Sequence, residues 1–205
     1  MIEKYTSPEQ TLTEIKHLME RSSRFISLSG LSGVLAGIYA LAGALTAYYY
    51  VYRENVLDRG GLEGTNVLVF LVADALLVMV FAVGTGIFLT TRKAKQDGNS
   101  LLDAAAKKLI INLCIPLFTG GIFCAALIYH GDWFYVVPSM LIFYGLALVH
   151  ASKYTRDDIR SLGLAEIMLG IISLFIVGYG LVFWAAGFGV LHIVYGTYMY
   201  FKYER

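Results

Sequence analysis

Residues 66–90 read NVLVFLVADALLVMVFAVGTGIFLT, a stretch whose one charge is Asp74. A helix of about 20 apolar residues crosses roughly 30 Å of hydrocarbon. The stretch is therefore long enough to span a bilayer and too apolar for the surface of a soluble domain. Outward from it the same pattern recurs. Apolar runs place helix 1 at about 25–51, helix 2 at 66–90, helix 3 at 109–129, helix 4 at 133–151, helix 5 at 163–183 and helix 6 at 187–201. A tight turn at Ala185-Ala186-Gly187 is expected before the last of these. The whole chain agrees: 58% of its 205 residues are hydrophobic and 15% charged, and its mean hydropathy is +0.65, whereas soluble domains are roughly 45–50% apolar. Residues 25–205 therefore read as one six-helix transmembrane domain, preceded by an amphipathic segment at 1–24. No room remains for a soluble catalytic domain. Glu3, Glu9, Glu14 and Glu20 stand in the first segment and no clean cleavage site comes after it, so a removable signal peptide is not expected.

Orientation is set by Lys and Arg, which resist translocation. Lys4, Lys16, Arg21, Arg24, Arg92, Lys93, Lys95, Lys107, Lys108, Lys153, Arg156, Arg160, Lys202 and Arg205 fall on one side of a six-span layout; only Arg53 and Arg59 fall on the other. The first side is read as cytoplasmic, with both termini on it. Aromatics agree, with Tyr48, Tyr49, Tyr50 and Tyr52 and then Trp133, Phe134 and Tyr135 at the outer boundary, and Tyr198, Tyr200 and Tyr203 at the inner one.

The fold class is an all-α membrane protein, and the helices read as three repeated hairpins rather than two inverted halves. Each odd helix comes after a capping signature: Ser7-Pro8-Glu9-Gln10, Ser100-Leu101-Leu102-Asp103 and Thr155-Arg156-Asp157-Asp158. Each even helix has a glycine six to eight residues before a basic exit, at Gly84, Gly145 and Gly196, and Tyr144-Gly145 matches Tyr195-Gly196. In helix 1, Ser29, Gly33 and Gly37 repeat at four-residue spacing, which lets helices approach closely. They serve either packing inside the bundle or the seam of a homo-oligomer. The 1–24 segment carries Leu12, Ile15, Leu18 and Met19 on one face and suits the membrane surface or a partner protein.

An ionisable group in hydrocarbon costs several kcal/mol and needs a partner. Asp74 and His192 stand at matching depths from the outer side of helices 2 and 6, so they are expected to form an intramembrane polar pair. Glu166 and His150, near the inner ends of helices 5 and 4, and Asn112 of helix 3 form an inner polar cluster that reads as interfacial. His130 and Asp132 in the outer turn are too few ligands for a metal. Cys114 and Cys124, ten residues apart on one helix, lie about 15 Å from each other, too far for a disulfide. No nucleophile elbow, P-loop, dinucleotide fingerprint or HExxH motif is present. No catalytic residue, metal or cofactor is assigned, and the basic loops face lipid headgroups rather than nucleic acid.

The stretches Ser22-Ser23-Arg24-Phe25-Ile26-Ser27-Leu28-Ser29-Gly30-Leu31-Ser32-Gly33 and Leu191-His192-Ile193-Val194-Tyr195-Gly196 resemble an uncharacterised bacterial family of small six-helix membrane proteins. The segment from Gly187 to Arg205 is similar, more loosely, to hairpin-repeat acid-resistance membrane proteins. The resemblance implies a multi-pass protein of the bacterial inner membrane with a stress or pH connection. The expected role is a non-enzymatic sensor, regulator or partner of another membrane or cytoplasmic protein. The alternative is a small transporter or channel using Asp74 and His192.

Overall fold

The computed structural model describes residues 24, 25, 28–53, 65–98 and 103–205. The amphipathic 1–24 segment, save Arg24, lies outside the described residues, as do the capping signature at Ser7 and Ser100, Leu101 and Leu102 of the second one. Among the described residues six long helices form: α1 Gly30–Arg53, α2 Thr65–Gln96, α3 Ala104–His130, α4 Val136–Ser152, α5 Asp158–Phe175 and α6 Gly180–Tyr203. A 3-10 turn at Trp133–Tyr135 leads into α4, and the middle of α6, Ala185–Leu191, is wound as a π-helix. All but α5 are long and apolar enough to cross a membrane. Helix α5 runs beside α6: its first residue, Asp158, meets Lys202 and Tyr203, and its last turn leads into Gly180.

Side chains are distributed as in a protein dissolved in lipid. The outer surface carries Leu76, Leu77, Val80, Phe81, Ile87 and Phe88 of α2 together with Phe118 and Phe175, all exposed. The interior holds Ala40, Ala44, Ala47, Ala106, Ala147 and Ala151, and with them the polar Thr155, Glu166, Ser173 and His192. Water would invert that arrangement, because a large exposed apolar surface is costly there and cost-free among acyl chains. The protein is a multi-pass membrane protein.

Two crossings hold the centre together. Gly30, Gly33 and Gly37 of α1 meet Gly189 and Gly196 of α6, and a Cβ at Gly196 would lie 2.5 Å from the Val34 nitrogen. Helix α4 meets α5 in the same manner: a Cβ at Gly145 would lie 2.5 Å from the Gly163 carbonyl oxygen, and one at Gly170 would lie 3.0 Å from that of Pro138. The backbones touch, which only glycine permits. The small residues of helix 1 thus serve packing within the bundle. The matched Gly145 and Gly196 join helices 4 and 6 each to an odd helix other than its hairpin partner, whereas Gly84 of helix 2 meets nothing within 4 Å. Helices 5 and 6, adjacent in the chain, each pack most closely on a different helix, α4 and α1.

The expected turn at Ala185-Ala186-Gly187 is absent. The chain turns instead at Ile176–Tyr179, where Gly178 has φ +94°, a left-handed conformation that a Cβ disfavours. Gly187 and Gly189 are needed for space rather than flexibility: a Cβ at Gly187 would lie 2.5 Å from both a Glu166 oxygen and Leu141. Helix 6 accordingly starts seven residues earlier than the apolar pattern indicates, at Gly180, and helix 5 five residues earlier, at Asp158. Helix 2 continues to Gln96, so Arg92, Lys93 and Lys95 extend a helix rather than a loop. The third capping signature does not cap. The Thr155 hydroxyl donates to the Phe25 carbonyl, and Asp157 pairs with Arg24.

That contact belongs to a clasp at the basic end of the bundle. Phe25 buries its ring among Ala94, Ala105, Ala106, Leu109 and Ala151, and its N–H donates to the Tyr154 carbonyl. The C-terminus closes the same end. Glu204 accepts the Gly30 N–H, one of the orphan donors of α1, and pairs with Lys93 at 3.0 Å. Asp158 takes Lys202 at 3.0 Å and the Tyr203 hydroxyl at 2.6 Å, and the Arg156 guanidinium lies 3.5 Å above the Tyr203 ring. Burial alone raises Asp158, but the Tyr203 and Lys202 hydrogen bonds outweigh it and hold the carboxyl below its ordinary range. A depressed folded value stabilises above the unfolded value and is lost as pH falls through the folded one. Asp158→Asn is therefore expected to lower unfolding free energy by about 1 kcal/mol or less at pH 7. Chemical unfolding in detergent should show that difference vanishing as pH falls below the usual carboxylate range.

Candidate functional site

Among the described residues one charged side chain is wholly buried: Glu166, with no exposed surface, two turns into α5 and facing α4 and α6. Opposite it, the π segment of α6 presents Gly187 and the start of its continuation presents His192. A π turn holds one more residue than an α turn and rotates the next residues round the axis, a device found often at functional sites. Here it sets His192 back over Gly187. The Nδ1 atom of His192 lies 3.0 Å from the Gly187 carbonyl, and Nε2 lies 2.6 Å from the Tyr144 hydroxyl of α4. These partners assign the neutral tautomer with Nδ1–H donating to the carbonyl and Nε2 accepting from the hydroxyl.

Glu166 completes the group. Its Oε1 lies 3.5 Å from His192 Nδ1, yet neither carboxyl oxygen has a hydrogen-bond partner among the described residues. Leu141, itself wholly buried, and Leu169 close the niche beside Gly187. An ionised carboxylate in such a place forgoes several kcal/mol of solvation. The pair carries no net charge as the neutral acid beside a neutral imidazole; taking up a further proton makes the imidazolium and giving one up makes the carboxylate, so its charge follows pH.

Asp74 stands elsewhere. It accepts the Thr46 hydroxyl at 2.9 Å, a hydroxyl also within reach of the Gly43 carbonyl at 2.8 Å. A Cβ at Gly43 would meet Val78, Asp74 and Trp184 together, so Asp74 is level with Trp184. His192 lies eight residues further along α6, about 12 Å. Asp74 and His192 do not pair; the matched depth depended on starting helix 6 at 187. Trp184 and Phe188 fill the gap between them. Ring centroids are 5.6 Å apart from Trp184 to Phe188, 6.1 Å from Phe188 to His192 and 5.2 Å from Tyr144 to Phe188.

The inner polar cluster is not formed either. Asn112 donates to the Lys108 carbonyl of its own helix, His150 is exposed, and Glu166 has gone to His192. Ser29 lies just ahead of α1, where its carbonyl accepts the Ser32 hydroxyl. His130 and Asp132 are exposed in the turn after α3. Among the described residues no three His, Cys, Asp or Glu side chains converge on a metal position. Cys114 is exposed and Cys124 buried, both as free thiols. Tyr144 and Gly187 are the site residues that sequence reasoning misses; the Tyr144-Gly145 match to Tyr195-Gly196 marks the first, though for its glycine. No family model, curated protein or solved structure matches this chain.

Proposed function

We propose that this chain is a proton-responsive regulator of the bacterial inner membrane, acting without enzymatic chemistry. It crosses the bilayer six times with both ends in the cytoplasm, the side on which Lys and Arg accumulate. The observation that carries the reading is Glu166: fully buried, without a hydrogen-bond donor among the described residues, and 3.5 Å from the His192 imidazole.

A second proton on the ring turns Nε2 from acceptor to donor, so the Tyr144 hydroxyl has to reverse. At the same time Nδ1–H is drawn from the Gly187 carbonyl toward Glu166. Both changes act on the π segment, the least regular part of α6. The far end of α6 carries Lys202, Tyr203 and Glu204, which close the basic clasp. Protonation in the membrane thus reaches the surface where a membrane or cytoplasmic partner would dock. A small proton-linked transporter or channel is the second reading, favoured by the position of Asp74.

Trp184 reports on the site through Phe188. With Trp133 replaced by Phe, the emission of Trp184 in lipid nanodiscs is expected to change in one sigmoidal step with pH. Vesicles loaded with a pH dye should meanwhile show no sustained proton flux. A flat emission profile contradicts the proposal; a sustained flux transfers the site to the transport reading.

A further inference from the structure

Helix α2 is the least covered of the spanning helices. Its one extensive contact is with α1, and much of the rest of its surface is bare and apolar. The seam between the two helices is built from three side-chain pairs. Ring centroids are 5.9 Å apart from Tyr39 to Phe81 and 4.0 Å from Tyr50 to Phe70; between these aromatic pairs the Thr46 hydroxyl donates to Asp74 at 2.9 Å. Thr46 is exposed and Asp74 half-buried, so the polar pair opens sideways onto the bilayer. Asp74 stands nine residues into α2 from Thr65, about 14 Å from the outer end of the helix.

A carboxyl at that depth costs several kcal/mol unless it is partnered. Thr46 brings a single hydroxyl proton, for which the Gly43 carbonyl at 2.8 Å also competes. Among the described residues no other donor reaches Asp74. The missing partner is a cation. Acyl chains carry no donor, and lipid phosphates lie out of reach and bear the wrong charge. A second copy of this chain brings no cation either: no Lys or Arg occurs in the apolar middle of any described helix, and His192 is buried against Tyr144 and Gly187. A transmembrane helix of another protein, with one Arg or Lys near its midpoint, supplies the charge and the donors together.

We infer that the α1–α2 seam is a lateral docking surface for such a helix, whose basic residue pairs with Asp74. The inference goes beyond the proton-responsive reading and does not depend on Glu166. A guanidinium presents its N–H groups as a planar fork and takes both carboxyl oxygens, which frees the Thr46 hydroxyl for the Gly43 carbonyl. Leu45, Leu77 and Phe81, all exposed, are then covered by apolar side chains of the incoming helix.

The test uses the full chain in lipid vesicles with a designed Leu/Ala transmembrane peptide of about 23 residues carrying one central Arg, and the same peptide with Leu in that place. Association is read by energy transfer from the two tryptophans of the protein to a dansyl group on the Trp-free peptide. The Arg peptide is expected to bind roughly tenfold more tightly than the Leu peptide. Asp74→Asn should remove most of that preference, whereas Thr46→Val and Glu166→Gln should keep it, with circular dichroism confirming the helices of each variant. Equal binding of the two peptides to the wild type overturns the inference, as does an Arg preference that survives unchanged in Asp74→Asn. Self-association of the wild type that Asp74→Asn abolishes would give the seam to a second copy and overturn the assignment of another protein's helix.

Discussion

Glu166→Gln is expected to abolish the pH response while leaving the protein as stable as the parent, within about 1 kcal/mol. The side chain keeps its shape, so Gly187, Leu141 and Leu169 stay in contact. What disappears is an acid that cannot ionise cheaply in this niche and that makes no hydrogen bond among the described residues. Removing a buried ionisable group with no donor takes away a cost rather than a bond. His192 behaves oppositely. Its ring satisfies the Tyr144 hydroxyl and the Gly187 carbonyl, so His192→Leu strands two buried polar groups and costs about 1–3 kcal/mol. Thermal unfolding in detergent, with Trp184 titration alongside, separates the two. A structural ion pair predicts that both variants destabilise; a proton switch predicts that only His192→Leu does.

Gly196→Leu is expected to be the most damaging apolar substitution, with a loss of about 3 kcal/mol or more in stability in detergent. The new Cβ would meet the Val34 nitrogen at 2.5 Å, the Gly30 oxygen at 2.7 Å and the Gly33 carbonyl carbon at 2.8 Å. All three are backbone atoms, so relief requires α1 and α6 to separate. That separation also withdraws Glu204 from the first turn of α1. Gly84 is the comparison, since a Cβ there meets nothing within 4 Å. Gly84→Leu should change stability by no more than about 0.5 kcal/mol, although the apolar pattern places the two glycines at equivalent points of their helices.

The first four helices are legible in the sequence because charged or polar residues bracket each apolar run. The last two are not. From Ser161 to Phe201 the only ionisable groups besides tyrosines are Glu166 and His192, and Gly178, Gly180, Gly187 and Gly189 are equal as breakers by composition. Which of them turns the chain is decided by packing: Gly187 must admit Glu166 and Leu141, and Gly189 must admit Leu41, which leaves Gly178 to turn. Misplacing that turn carried Glu166 toward the membrane surface and His192 toward the depth of Asp74. Asp158 hides the true start of α5, because a charge in a first turn resembles a loop until its partners on α6, Lys202 and Tyr203, are known. The functional group itself joins residues far apart in the chain, Tyr144 and Glu166 with His192, contacts that no periodicity encodes.

Infrared difference spectroscopy on the protein in nanodiscs reads the protonation of a carboxyl group directly. The account predicts a carboxylic-acid C=O band that is lost as pH rises in the wild type, is absent from Glu166→Gln, and persists in Asp74→Asn. A wild type without such a band, or a band that survives unchanged in Glu166→Gln, would contradict it.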